Sequence, residues 1–190
     1  VAPTGTDILD EAKLAEWMTA NVAGFEGPVQ ALKFAGGQSN PTYRLNAKSG
    51  SYVLRRKPPG ELLKSAHAVD REFRVLSALA DTDVPVAQVY HLCDDDSIIG
   101  SMFYLMEYKQ GRVFWDPALP GISNLDRGDI FDQMNRVLVA LHSVDIDAVG
   151  LQDYGRPGNY FARQIGRWTK QYQASESETI ADMDRLIEWL

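Results

Sequence analysis

The chain has 190 residues, 45% of them apolar and 24% charged, enough to build a core and too apolar for a disordered polyelectrolyte. Nineteen basic residues against 26 acidic ones leave a net charge of −7, which argues against a general nucleic-acid binder. A single cysteine, Cys93, excludes an internal disulfide; no apolar run approaches the roughly 20 residues of a membrane span, and no secretory signal opens the chain, so a cytoplasmic protein with neither membrane nor nucleic-acid partner is expected.

Asp10 is placed to cap a helix running through about Val22, with Leu14, Trp17 and Met18 on one side. Beyond Pro28, Val29 to Phe34 reads as a strand, and Ala35 to Pro41 as a loop. Thr42 to Asn46 is a second strand and Ser51 to Lys57 a third, joined by the turn Lys48-Ser49-Gly50. Ala66 to Ala80 carries Val69, Phe73, Leu76 and Ala80 at spacings of four, three and four, which predicts an amphipathic helix. Val86 to Cys93 and Met102 to Tyr108 are two further strands around the polar run Asp94 to Ser97.

From Gly111 onward the pattern is helical. Ser123 and Asp126 have capping-box spacing ahead of Ile130, Met134, Val137, Leu138 and Leu141. Phe161, Ile165, Trp168 and Tyr172 form a second stripe. Ser175 and Glu178 make another candidate box before Ile180, Met183, Leu186, Ile187 and Leu190. That last stripe is still running at Leu190, with no stop signal, so more protein is expected to follow. The order of elements fits an α+β fold, an antiparallel five-stranded sheet with a helix on a face followed by helices, with a division near Lys109.

Charge is uneven along the chain. Between Val29 and Arg74 nine basic residues meet three acidic ones, so this segment is +6 and the remainder −13. A local positive field suits a nucleotide phosphate, although a solvated basic face explains the same count.

Four short segments carry possible chemistry. Gly36-Gly37-Gln38-Ser39-Asn40 lies between two strands, where glycines let backbone N–H groups approach phosphate oxygens; a plain hairpin loop needs the same residues. Val53, Arg55 and Lys57 share one strand face, so Arg55 can reach toward that loop. Glu72, on the following helix, can hold Arg55 through a bidentate pair, unless the two are unrelated surface charges. Met106-Glu107-Tyr108-Lys109 ends the fifth strand where the texture changes, either as a cleft wall with exposed backbone groups or as an ordinary linker. His91 and Cys93 alternate onto one strand face, but with no further Cys or His nearby they read as packing rather than a metal site. The aromatic stripe Phe161, Trp168 and Tyr172 likewise reads as helix core.

The order of these segments resembles the protein-kinase-like fold. The stretches Phe34 to Tyr43, Tyr52 to Gly60, Asp70-Arg71-Glu72-Phe73, and Gly155 to Phe161 with Arg163-Gln164 and Arg167-Trp168 resemble the aminoglycoside phosphotransferase family. They are most similar to its branch fused to acyl-CoA dehydrogenases. The resemblance implies a nucleotide-binding lobe over residues 1–108, with its N-terminal helix 10–22, then a hinge and the start of a helical lobe over 109–190. ATP would bind between the lobes. Gly36, Gly37, Gln38, Ser39 and Asn40 would cover its phosphates. Arg55 would stand where protein kinases place a lysine, and Glu72 would orient it. The Glu107 carbonyl and the Lys109 amide would hold the adenine, with Met106 behind it and Tyr108 between them.

The family pattern also requires His-x-Asp with an asparagine five residues after the aspartate, and a later metal-binding aspartate. Neither is present. His142-Ser143-Val144-Asp145 has Gly150 where the asparagine belongs, and Asp153-Tyr154-Gly155 follows too closely to be the metal motif. His142 is expected to close a helix and Asp153 to lie in a loop. By the resemblance the catalytic loop follows the helix ending at Leu190, so the magnesium ligands are expected outside this chain, and these residues alone are expected to be inactive. The intact protein would then use ATP and Mg2+ to phosphorylate a small-molecule hydroxyl, whether of an aminoglycoside, another hydroxylated metabolite or a hydroxyacyl thioester. A nucleotide-binding pseudokinase and an interaction module without a ligand are the alternatives. The sequence leaves oligomeric state open.

Overall fold

The structure is a computed structural model that describes residues 9–34, 40–58, 68–155 and 158–190. The described chain divides into two compact units, Val1–Asp145 and Ile146–Leu190.

The first unit is built on a five-stranded antiparallel sheet. Its strands are β1 (Gln30–Lys33), β2 (Thr42–Ala47), β3 (Gly50–Arg56), β4 (Val89–Cys93) and β5 (Phe103–Glu107). Their spatial order is β1-β2-β3-β5-β4, so β5 lies between β3 and β4. Register fixes the two faces. Thr42 pairs with Arg55 and Arg44 with Val53; Arg55 pairs with Tyr104 and Val53 with Met106. Directly paired residues point the same way, so these side chains share one face. Tyr43, Leu45, Tyr52, Leu54, Phe103 and Leu105 point to the other and form the core.

That core is closed by α1 (Glu11–Asn21). Asp10 caps the helix by accepting from the Lys13 amide at 3.1 Å. Leu14 and Met18 are fully buried against the sheet, and the Trp17 ring meets Phe103 edge-on at 4.9 Å and His91 at 5.4 Å. Glu11 accepts from the Ala31 amide at 2.8 Å and ties the helix start to β1. His91 and Cys93 therefore pack on the α1 side, with Cys93 4% exposed.

The opposite face carries α2 (Val69–Leu79), whose Phe73 ring lies 6.0 Å from Tyr104. The expected helix began at Ala66, but Ala66 and His67 lie outside the described residues. Its stripe is Val69, Phe73, Leu76 and Leu79. Ala80 falls just beyond the last turn and is exposed, so the buried closing residue is Leu79. Between β4 and β5 the polar run is partly helical. Asp95 caps the single turn α3 (Asp96–Ile99) by accepting from the Ser97 amide at 2.8 Å, and Gly100 leaves it at φ 83°.

Helix α4 (Asn124–His142) opens with the expected box: Ser123 Oγ accepts from the Asp126 amide at 3.1 Å and donates to Asp126 Oδ2 at 2.8 Å. His142 is its last residue. Its stripe lines an open groove with Arg112 and Phe114 and stays exposed, Met134 at 60%. The second unit holds α5 (Tyr160–Ser175) and α6 (Ala181–Trp189), and Asp153 lies in the turns that precede them. Phe161, Ile165, Trp168 and Tyr172 share a groove with Met183, Leu186 and Ile187. Ser175 caps nothing: it ends α5 and its hydroxyl donates back to the Gln171 carbonyl at 2.9 Å. The start of α6, at Ile180, has no side-chain cap. Ser175 is still within α5, whereas α6 begins six residues later at Ala181, so its hydroxyl is not placed at the start of the next helix.

Candidate functional site

Site geometry begins with Arg55 near the end of β3. Strand alternation turns it away from the α1 core, toward α2. There its Nε donates to Glu72 Oε2 at 2.6 Å and its Nη2 to Glu72 Oε1 at 3.3 Å, a bidentate pair. Nη1 donates to Thr42 Oγ1 at 3.1 Å, and Thr42 Oγ1 donates to the Asn40 carbonyl at 3.1 Å. Glu72 also accepts from Asn40 Nδ2 at 2.9 Å and from the Tyr104 hydroxyl at 3.2 Å. One carboxylate on α2 thus joins β3, β5 and the segment just before β2. The hydrogen bond with Glu72 raises the Arg55 pKa despite partial burial.

Thr42 and Tyr104 are additions to the expected set. Each is paired in register with Arg55, from opposite sides, in strands far apart in sequence. Asn40, from the expected loop, directs its side-chain amide at Glu72. Gly36, Gly37, Gln38 and Ser39 lie outside the described residues.

Tyr104 is 2% exposed. Burial first, then the Glu72 carboxylate, push its phenol well above the ordinary value of about 10. The folded state holds a proton that the unfolded chain releases above about pH 10, so this contribution to stability is complete below that pH and lost as pH rises. Tyr104→Phe is expected to cost about 1 kcal/mol at neutral pH and to flatten the alkaline decline in a urea-denaturation series. An alkaline slope equal to that of the wild type would assign the decline to other groups.

Met106, Glu107, Tyr108 and Lys109 close the strand end. Met106 faces Val53 on the Arg55 side, while Glu107 pairs with Tyr52 on the other. The Glu107 amide donates to the Gln88 carbonyl at 2.7 Å, and Lys109 Nζ donates to Glu107 Oε1 at 2.7 Å. That bond from Lys109 is the main reason the Glu107 carboxyl lies below its usual range. Among the described residues no group accepts from the Lys109 backbone N–H. Tyr108 carries a contact that strand patterning missed: the Arg44 guanidinium carbon lies 4.4 Å from its ring centre. Arg44 Nη2 donates to Ser51 Oγ at 3.2 Å, while its Nε is buried without a hydrogen-bond partner. A buried unmade donor costs about 1–3 kcal/mol. Among the described residues no cluster of three or more His, Cys, Asp and Glu is arranged to hold a metal ion, and no helix is long and apolar enough to cross a membrane.

An antiparallel five-stranded sheet whose third strand holds a cation clamped by a glutamate of the next helix is the sheet half of a kinase-like α+β fold. The comparisons agree. The model of the phosphotransferase enzyme family matches residues 30–190, and the chain belongs to that family. It is 52% identical to a crystal structure from Ralstonia eutropha JMP134 described as a "putative aminoglycoside phosphotransferase", with a TM-score of 0.80 over 96% of this chain and 53% of that one. It is 51% identical over 164 residues to acyl-CoA dehydrogenase family member 10 of Mus musculus, covering 86% of this chain and 15% of the relative. Human acyl-CoA dehydrogenase family member 11 is 40% identical over 185 residues, with coverages of 95% and 24%. The chain therefore spans about half of the solved relative and under a quarter of these curated ones.

Proposed function

We propose that these residues form the ATP-binding part of a phosphotransferase that moves the terminal phosphoryl group of ATP to a small-molecule hydroxyl. The observation that carries this reading is the Arg55–Glu72 clamp. Three of the five guanidinium N–H donors are engaged by Glu72 and Thr42. Two remain, on a cation whose orientation is fixed from two sides, which suits bidentate contact with a phosphate. In this reading the loop from Gly36 to Asn40 covers the phosphates, and the Glu107 carbonyl and the Lys109 amide take the adenine edge beside Met106 and Tyr108. Residues 1–108 act as the nucleotide lobe and 109–190 as hinge and the start of the acceptor lobe.

Rate in such a transfer comes from alignment and charge neutralisation rather than a covalent intermediate. Magnesium supplies charge neutralisation at the phosphates. Its ligands, and the group that orients the acceptor hydroxyl, are assigned to parts of the longer relatives that this chain does not span. The 190 residues hold no His-x-Asp-x-x-x-x-Asn sequence, so they are expected to bind nucleotide without turning it over. The same feature favours a second reading, a nucleotide-binding module without chemistry. The single buried cysteine fits a reducing, cytoplasmic setting.

Calorimetric titration with ATP and magnesium tests the reading. Saturable binding supports it, and its absence overturns it. Phosphoryl transfer by the intact protein, screened on aminoglycosides, other hydroxylated metabolites and hydroxyacyl thioesters, separates an enzyme from the binding module.

A further inference from the structure

Glu72 is held by more than its cation. Each carboxylate oxygen accepts from Arg55 and from one neutral donor. Oε2 takes Arg55 Nε at 2.6 Å and the Tyr104 hydroxyl at 3.2 Å; Oε1 takes Arg55 Nη2 at 3.3 Å and Asn40 Nδ2 at 2.9 Å. Asn40 differs from Tyr104 in reaching both halves of the pair. Its carbonyl accepts from Thr42 Oγ1 at 3.1 Å, and that hydroxyl oxygen in turn accepts from Arg55 Nη1 at 3.1 Å. The backbone beside it is fixed by the sheet. The Pro41 carbonyl accepts from the Arg56 amide at 3.0 Å, and the Phe34 amide donates to the Thr42 carbonyl at 3.0 Å. A side chain rooted in the sheet thus reaches across to α2 and sets where its carboxylate stands.

Asn40 is 4% exposed, and its amide is turned to that carboxylate. An anion arriving at the amide would leave water beside Glu72, and like charges that close repel. We propose that Asn40 is a positioning residue that touches no part of the nucleotide: it fixes Glu72, Glu72 fixes the plane of the Arg55 guanidinium, and the guanidinium meets the phosphates. This rests on the nucleotide-binding reading above and narrows its phosphate cover to the residues before Asn40. A planar fork needs such support more than an ammonium does. Its donors point in set directions, so a rotated plane misses two phosphate oxygens at once.

The test is calorimetric titration of the intact protein with ATP and magnesium and, separately, with adenosine, which keeps the base and ribose and has no phosphate. Asn40→Ala removes the amide and keeps the carbonyl that Thr42 uses. Its ATP affinity is expected to fall about tenfold, with adenosine affinity within about twofold of wild type. Asn40→Asp keeps the shape and sets a second carboxylate against Glu72. It is expected to show the same selective loss, which covers the case in which the alanine variant folds poorly. The decisive comparison is a double-mutant cycle. In a Glu72→Ala background, Asn40→Ala is expected to change ATP affinity by less than about twofold, because the residue it acts through is gone. A loss of about tenfold in both backgrounds overturns the proposal and makes Asn40 a direct ligand of the phosphates. Equal losses for ATP and adenosine overturn it by reducing Asn40 to a support of the fold, and unchanged ATP affinity in both Asn40 variants overturns it outright. Each of these results leaves the nucleotide reading standing, whereas wild-type protein that does not bind ATP refutes that reading itself.

Discussion

Replacing Arg55 by methionine is expected to weaken ATP binding by about 10–100-fold while leaving the melting temperature nearly unchanged. The two halves of that expectation have separate causes. Hydrogen bonds to a charged group contribute about 1.5–3 kcal/mol each, which is roughly one to two decades in affinity when a phosphate loses them. The Arg55–Glu72 pair itself is partly exposed, with side chains at 29% and 35%, so its removal costs the fold about 1 kcal/mol or less. Arg55→Lys should fall between wild type and methionine, because an ammonium cannot serve Glu72 and Thr42 through one planar fork. Calorimetry beside thermal unfolding measures both quantities. An Arg55→Met variant that binds ATP like the wild type would remove the cation from the ligand and leave the clamp a purely structural device.

The second large effect lies in the α1 core. Leu14 is fully buried beneath the sheet, and Leu14→Ala is expected to destabilise the first unit by about 2–5 kcal/mol. Against a typical domain stability of about 5–15 kcal/mol, that is a large fraction. The family match begins at residue 30, so α1 lies outside it, yet α1 supplies Leu14, Met18 and Trp17 to the core. Urea denaturation of wild type and variant decides the matter. A loss below about 1 kcal/mol would mean that the sheet stands without its helix.

Much of this arrangement could be read before any coordinates. The hairpin β2–β3 follows from the short turn before Gly50, and α4 from a capping box that forms as its spacing predicts. A bidentate Arg55–Glu72 pair follows from strand alternation and the place of Glu72 on the next helix, with unrelated surface charges as the alternative, and the fold brings the two to 2.6 Å. Other features depend on pairings that a linear reading does not contain. Tyr104 meets Glu72 because β5 inserts between β3 and β4, so two strands distant in sequence become neighbours. Arg44 looked like one basic residue among nine; its contact with Tyr108 follows from the same strand insertion. At Ser175 the spacing fits a cap but the residue falls in the last turn of α5, and the next helix starts only at Ala181. At α3 four residues are too few for any periodicity to register, and only the Asp95 cap marks the turn.

The four hydrogen bonds that converge on Glu72 also bear on regulation. An outward swing of α2 would disarm the cation, and it would have to break the bonds from Arg55 Nε, Arg55 Nη2, Asn40 and Tyr104 together. Even at the low end of about 0.5 kcal/mol each, suited to a carboxylate one-third exposed, this sums to about 2 kcal/mol, which leaves roughly one molecule in thirty in the swung-out state. The position of Arg55 is therefore set by the fold itself, through bonds that reach Glu72 from both sides of the sheet strand that carries it.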